Sequence, residues 1–158
     1  MPAVNPTDKV DPRSPRFGAA ITSVILALVL VLYQVSPVVS LVLLLIQALA
    51  FAAGSLVGLQ AQPWGIVFRR FVRPRLEAPS ELEDAAPPRF AQGVGLVFAL
   101  AALLGWLVAS PVLFYVAVAF ALVAALLNAI FDFCLGCELY LLGGRLRQRT
   151  AGADGLSS

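Results

Sequence analysis

The sequence predicts an all-α membrane protein with four transmembrane helices arranged as two helical hairpins. Of its 158 residues, 60% are hydrophobic and 13% are charged, and the mean hydropathy is +0.90. Residues 17–68 and residues 90–131 contain no Asp, Glu, Lys or Arg. A helix needs about 20 residues to cross the bilayer core, so each run fits two spans and not three. This composition excludes a soluble globular domain and a disordered chain.

Ser-Pro dipeptides mark the point where each pair of spans turns. Ser36-Pro37 interrupts the first apolar run and Ser110-Pro111 interrupts the second, and proline is favoured in the first turn of a helix. The first and third spans are short, so they run close to the membrane normal or extend by a flanking turn. The expected spans are residues 17–33, 38–59, 93–109 and 112–131.

The two hairpins resemble each other in the residues that punctuate them. Pro15-Arg16-Phe17 precedes the first hairpin and Pro88-Arg89-Phe90 precedes the second, and a Ser-Pro-Val tripeptide follows each at nearly the same distance. This pattern indicates an internal duplication. Because each unit has two spans, we expect two parallel repeats, related by an axis along the membrane normal.

The basic residues predict the orientation. All 11 Lys and Arg residues lie before the first span, between the second and third, or after the fourth. The positive-inside rule therefore places the N-terminus, the central loop and the C-terminus in the cytoplasm, in a multi-pass protein of the plasma membrane. The first apolar segment lacks a signal-peptide cleavage site, so we expect it to remain as an anchor.

The charges and the turns divide the chain into five segments. The central loop has a basic, partly apolar stretch at 64–76, expected to lie as an interfacial helix under acidic lipid head groups until Pro74 disturbs it. The loop could be a solvated linker or a docking surface, and the tail from residue 150 is expected to be disordered. The segments are a cytoplasmic N-terminal segment (1–16), the first transmembrane hairpin (17–59), the cytoplasmic loop (60–92), the second hairpin with its cysteine-containing end (93–142) and a cytoplasmic tail (143–158).

Small residues recur every four positions in the second and fourth spans, where they would let helices approach closely. The partner could be a helix of the same chain or a second subunit, so a homodimer stays open. The positions are Gly54 and Gly58 in the second span, and Ala117, Ala121, Ala125 and Ala129 in the fourth.

The candidate catalytic residues are the two cysteines of the chain, in the sequence Cys134-Leu135-Gly136-Cys137. Cysteines three residues apart share one face of a helical turn and can form a disulfide if the turn loosens. Asp132 and Glu138 flank the pair and are candidates for tuning its reactivity. One chain without histidine cannot supply a usual zinc site, although two chains could supply four thiolates. We expect no cofactor and no metal.

The reactivity of the pair depends on where the fourth span ends. If that helix runs unbroken through Cys137, both thiols lie at a helix C-terminus beside carboxylates and react slowly. If it ends near Asp132, this residue caps a new helix that ends at Gly143-Gly144. Cys134 then lies in the first turn of the new helix and is activated. The cysteines could also be small apolar residues without a redox role.

Three stretches of the chain resemble a known family. They are the segment from Asp11-Pro12-Arg13 to Phe17, the Pro-Pro-Arg-Phe-Ala-Gln segment at 87–92 and the Asp-Phe-Cys-Leu-Gly-Cys-Glu run at 132–138. They resemble an uncharacterised family, a domain of unknown function, of small four-helix membrane proteins of actinobacteria with a C-terminal CxGC motif. The resemblance covers roughly residues 10–145. It implies the topology and a place near thioredoxin-like and sulfurtransferase functions, but no mechanism.

Three functions fit these features. A cytoplasmic pair disfavours a generator of disulfides for exported proteins. We expect a membrane-anchored dithiol that stays mostly reduced and exchanges electrons or sulfur with a soluble thioredoxin-like or sulfurtransferase protein. The alternatives are a scaffold that uses the charged loop and a small parallel-repeat carrier that uses Gln47 or Asn128. Enzyme status stays open, and the net charge of +2 does not favour nucleic-acid binding.

Overall fold

The computed structural model describes residues 9–154, and it confirms the predicted all-α membrane fold. Four of the described helices are long and apolar enough to cross a bilayer, namely Arg13–Val35, Pro37–Val57, Ala86–Leu107 and Pro111–Phe131. Expectations for residues 1–8 and 155–158 lie outside the described range. The helices are α1 (Arg13–Val35), α2 (Pro37–Ala52, extended by a π-helical turn at Ala53–Val57), α3 (Pro63–Val67), α4 (Ala86–Leu107), α5 (Pro111–Phe131) and α6 (Leu135–Asp154).

The membrane helices begin where prolines can be accommodated. Helices α2 and α5 start at Pro37 and Pro111, as the Ser-Pro dipeptides predict. Helices α1 and α4 start upstream of their apolar runs, at Arg13 and Ala86. The two short spans are therefore extended by flanking turns. The prolines in these turns are tolerated because the first N–H groups of a helix have no intrahelical partner.

The four long helices form one bundle in which α1 contacts α2 and α5, and α4 contacts the same two helices. The ring of Tyr33 in α1 stacks on Phe114 in α5 with a centroid distance of 4.2 Å. Consecutive membrane helices run in opposite directions, so the start of α1, the central loop and α6 lie at one end, called here the polar end. The most deeply buried core side chains include Leu26, Val29, Leu44, Ala102, Phe114 and Val118.

Glycine and alanine allow the closest approaches between these helices. A Cβ at Gly105 in α4 would lie 2.6 Å from the backbone nitrogen of Phe114 in α5. Ala117 and Ala121 are buried within the bundle, so this part of the small-residue ladder faces helices of the same chain. Gly58 does not form the close helix contact that its spacing from Gly54 predicts. A Cβ at Gly58 would have no neighbouring atom within 4 Å, and its φ is +136°. It ends the π-helical turn instead of forming a packing surface.

Two arginines complete the C-terminal ends of neighbouring helices at the polar end. Arg16 of α1 donates from Nε to the carbonyl of Ala129 in α5 at 3.1 Å. Arg89 of α4 donates from Nε to the carbonyl of Ser55, after α2, at 2.8 Å. The last carbonyls of a helix lack intrahelical partners. Each Pro-Arg-Phe arginine therefore closes the end of a helix from the other hairpin.

The central loop is helical from Pro63 to Arg75. Helix α3 continues into a π-helical turn at Phe68–Val72 and a 3₁₀ turn at Arg73–Arg75. The stretch predicted as an interfacial helix is therefore helical, and Pro74 is accommodated within its last turn. The Oε1 atom of Gln62 accepts a hydrogen bond from the N–H of Gly65 at 2.8 Å and caps the start of α3.

A short strand pair and one ion pair join the start of the chain to this loop. Strand β1 (Lys9–Val10) pairs antiparallel with β2 (Glu83–Asp84), which the sequence analysis does not anticipate. Asp11 is buried and accepts hydrogen bonds from the backbone N–H and the guanidinium of Arg13. The side-chain hydrogen bond from Arg13 holds the pKa of Asp11 below its ordinary value of 3.8, although burial opposes this shift.

The Gly105 contact gives a testable prediction for the bundle. Gly105→Ala should destabilise the protein by about 1–3 kcal/mol, because the added methyl group forces α4 away from the backbone of α5. Gly93→Ala in the same helix is the matched control, since its Cβ would meet only the Ser55 Cβ at 3.8 Å. Thermal unfolding in detergent measures both. Equal melting temperatures for the two variants would contradict the close contact.

Candidate redox site

The fourth membrane helix ends directly before the cysteine motif. Asp132, the C-cap of α5, has a φ of 55°, which places it in the left-handed region. Asp is one of the few residues besides glycine that tolerate this conformation. The backbone N–H groups of Asp132 and Phe133 both donate to the carbonyl of Leu127. The arrangement with one unbroken helix through Cys137 is therefore wrong.

Cys134, and not Asp132, precedes the first residue of α6. The N–H of Cys137 donates to the Cys134 Sγ at 3.3 Å, and the N–H of Glu138 donates to the Cys134 carbonyl at 3.0 Å. This is the geometry of an N-cap, in which a side-chain acceptor satisfies a free N–H of the first turn. The expected N-cap role of Asp132 is corrected, because its left-handed backbone closes α5 instead.

Cys134 and Cys137 are joined by a disulfide, so the structure represents the oxidised form of the pair. Both cysteines are partly exposed, and the flanking Asp132 and Glu138 are exposed. Glu138 lies in the first turn of α6, where a carboxylate competes with a thiolate for the positive end of the helix dipole. The tuning roles of these two carboxylates stay predictions.

Gly136 fixes the position of the motif against the bundle. A Cβ at Gly136 would lie 2.6 Å from both Cα and Cβ of Ala91 in α4. One turn further along α6, the ring of Tyr140 contacts that of Phe90 with a centroid distance of 5.7 Å. The cysteine pair is therefore held against the start of α4. In the sequence, Gly136 indicates only the flexibility that a disulfide needs, and no local pattern indicates this contact.

Helix α6 is longer than expected. It continues through Gly143 and Gly144 to Asp154, and neither glycine has a positive φ. A glycine ends a helix when it takes the left-handed conformation, and the Arg, Leu and Gln residues that follow favour helix. The expected helix end at Gly143-Gly144 and the expected disorder of residues 150–154 are therefore wrong.

A cavity of about 280 Å³ lies between the membrane helices and the start of α6, and Cys134 is part of its wall. Most of its wall is apolar, with Phe51, Phe98 and Phe120 among the lining residues. The sequence analysis contains no signal for it, because the wall combines residues from five separate helices. The polar residues that line it are Thr22, Gln92 and Asn128.

The candidate carrier residues have different environments. Asn128 lines the cavity together with Cys134. Gln47 is fully buried, and its Nε2 donates to the Thr22 hydroxyl at 3.2 Å. This hydrogen bond joins α2 to α1 within the first hairpin, while the buried Oε1 atom of Gln47 accepts no hydrogen bond within residues 9–154. Among residues 9–154, no three His, Cys, Asp or Glu side chains cluster as metal ligands.

These features define an integral multi-pass membrane protein with four long apolar helices and a CxxC pair at the start of an additional helix. The model of the family described as Domain of unknown function (DUF4395) matches residues 10–145. The chain belongs to this family. No curated protein and no solved structure matches the chain.

The contact of Gly136 with Ala91 predicts how the site responds to substitution. Gly136→Ala should displace the start of α6 from α4 and slow disulfide exchange with dithiothreitol by about tenfold or more, because small misplacements of reacting groups are costly. Gly143→Ala is the matched control, since nothing lies within 4 Å of its Cβ position. Alkylation after a rapid acid quench measures the rates. Equal exchange rates would show that the contact does not position the pair.

Proposed function

We propose that the protein is a membrane-anchored thiol–disulfide redox protein of the plasma membrane, in which Cys134 and Cys137 exchange electrons with a soluble thioredoxin-like or sulfurtransferase partner. The observation that carries this proposal is the N-cap position of Cys134, whose sulfur accepts the Cys137 N–H at 3.3 Å. A helix N-terminus favours the thiolate over the thiol. Buried structural cysteines do not need this position or the partial exposure that both residues have.

The reaction assigned to the pair is thiol–disulfide exchange. The reduced Cys134 thiolate attacks one sulfur of the partner disulfide and releases the other as a thiolate. The Cys137 thiolate then attacks the Cys134 sulfur, forms the internal disulfide and releases the second partner sulfur. Two electrons pass from the cysteine pair to the partner, and the thiol protons pass to the released partner thiolates. The reverse sequence regenerates the reduced pair.

The distribution of the arginines supports a partner in the cytoplasm. Arg69, Arg70, Arg73 and Arg75 lie in the helical loop at the polar end, the same end as the cysteine pair. The two turns at the opposite end carry no charge. The positive-inside rule favours a cytoplasmic polar end, and the arginine-rich loop suits an acidic lipid surface.

The two halves of the chain support an internal duplication with parallel units. In each unit, the helix that follows the second span is capped by a side chain that accepts an N–H three residues later, from Gln62 in one and Cys134 in the other. Each capped helix contacts the first helix of its own unit, through Trp64 on Gly18 and through Gly136 on Ala91. In the second unit, a sulfur that can react occupies the position of an ordinary capping amide.

The scaffold and carrier functions make different demands on the same chain. A scaffold would depend on the loop from Pro63 to Arg75 and would not need either cysteine. A carrier would depend on Asn128, which lines the cavity, and would keep its transport in cysteine-free variants. Substitution of the cysteines therefore separates the redox function from both alternatives.

Single-cysteine variants test the proposal. In Cys137→Ser, the remaining Cys134 should form a mixed disulfide with glutathione about tenfold faster at neutral pH than Cys137 does in Cys134→Ser, because the N-cap position stabilises the thiolate. Each variant is the control for the other. Equal reactivity of the two thiols would contradict an activated Cys134.

A further inference from the structure

We infer that the cavity beside Cys134 is a quinone site, and that the cysteine pair passes electrons from its soluble partner to a quinone dissolved in the membrane. This inference rests on the proposed redox function and identifies the second reactant of the same pair. Two features support it independently of the helix N-terminus, namely the composition of the cavity wall and the exposure of apolar residues that line it.

The wall of the cavity suits a flat, lipid-soluble molecule that carries a few oxygen atoms. Phe98 and Phe120 stack with a centroid distance of 5.9 Å and an angle of 17° between their planes, and both line the cavity. Asn128 and Thr22 bring an amide and a hydroxyl to the wall. Small-molecule pockets combine an apolar wall with a few polar groups in this way. The volume of about 280 Å³ lies at the small end of their range, which is roughly 300–1,000 Å³.

Gln92 adds a polar group that lacks a partner. It lines the cavity, and its Oε1 atom is buried and accepts no hydrogen bond within residues 9–154. A buried amide oxygen without a donor costs free energy. A rotation of the side chain towards the cavity would let this oxygen accept a hydrogen bond from a quinol hydroxyl.

The cavity shares apolar side chains with the exposed surface of the bundle. Phe120, Leu135 and Leu139 line it and are also exposed on the outer surface, with Phe120 61% exposed. A molecule dissolved in the bilayer could therefore enter between α5 and α6. Cys134 is the cysteine of the pair that forms part of the cavity wall.

The electron count matches a quinone. When the two thiols become a disulfide, one S–S bond forms and two electrons and two protons are released. A quinone takes up both electrons and both protons and leaves as the quinol. The soluble partner then reduces the disulfide again, so the protein would couple a water-soluble thiol donor to a lipid-soluble acceptor.

The test uses the full-length protein, reduced, freed of dithiothreitol and reconstituted in phospholipid nanodiscs under anaerobic conditions. Ubiquinone-1 is the probe, and its ultraviolet absorbance reports quinol formation while mass-tagged alkylation reports the disulfide. We expect one quinol for each disulfide. Ala124→Phe fills the cavity and should slow this reaction by about tenfold or more, because the ring can no longer reach the sulfur. Ala119→Phe is the control, since Ala119 is exposed on the same helix.

The two proposals fail in different ways. If the wild type exchanges with dithiothreitol but does not reduce ubiquinone-1, or if Ala124→Phe reduces it as fast as Ala119→Phe, the quinone site is contradicted and the redox function stands. If the wild type does not exchange with dithiothreitol, the redox function itself is contradicted. Should Ala124→Phe not fold, a photoreactive ubiquinone on the wild type decides. Labelling of α4 and α5 beside Cys134 is expected, and labelling elsewhere or only by lipid analogues would contradict the site.

Discussion

Close contact between helices at glycine and alanine is the constraint on which this bundle depends. Apolar surface gains little by leaving lipid for the interior of a bundle, so helices in a membrane are held by tight packing and by hydrogen bonds between them. Gly105 against Phe114 and Gly136 against Ala91 are contacts of this kind. The second contact fixes α6, and with it the cysteine pair and one wall of the cavity. The packing that holds the helices together therefore also determines the geometry of the candidate site.

The membrane fold is predictable from local features of the sequence. The uncharged runs and the Ser-Pro dipeptides identify four spans and their turns, because a bilayer demands long apolar helices and proline marks their first turns. Contacts between distant segments are not predictable in this way. Arg16 and Arg89 are recognisable in sequence as repeated motifs, but only the folded chain shows that each closes a helix end of the other hairpin.

At the candidate site, too, local features are predictable from the sequence and the folded conformation is not. The CxxC spacing identifies the candidate residues, and the end of the span near Asp132 is one of two alternatives that the sequence allows. The assignment of the caps needs backbone conformation, because Asp132 in the left-handed region closes α5 and leaves the N-cap to Cys134. The glycines at 143 and 144 end no helix, since their φ values are not positive. A glycine pair is therefore a weak stop signal when helix-forming residues follow.

The redox state of Cys134 and Cys137 in native membranes tests the central claim most directly. Acid quench followed by mass-tagged alkylation, with and without an oxidant pulse, reports whether the two thiols pair reversibly, and a membrane-impermeant blocker reports the side that they face. A redox pair with a cytoplasmic partner requires reversible oxidation of both cysteines, protected from the blocker in intact cells. Thiols that never pair would contradict the redox function, and labelling from outside would contradict the proposed orientation.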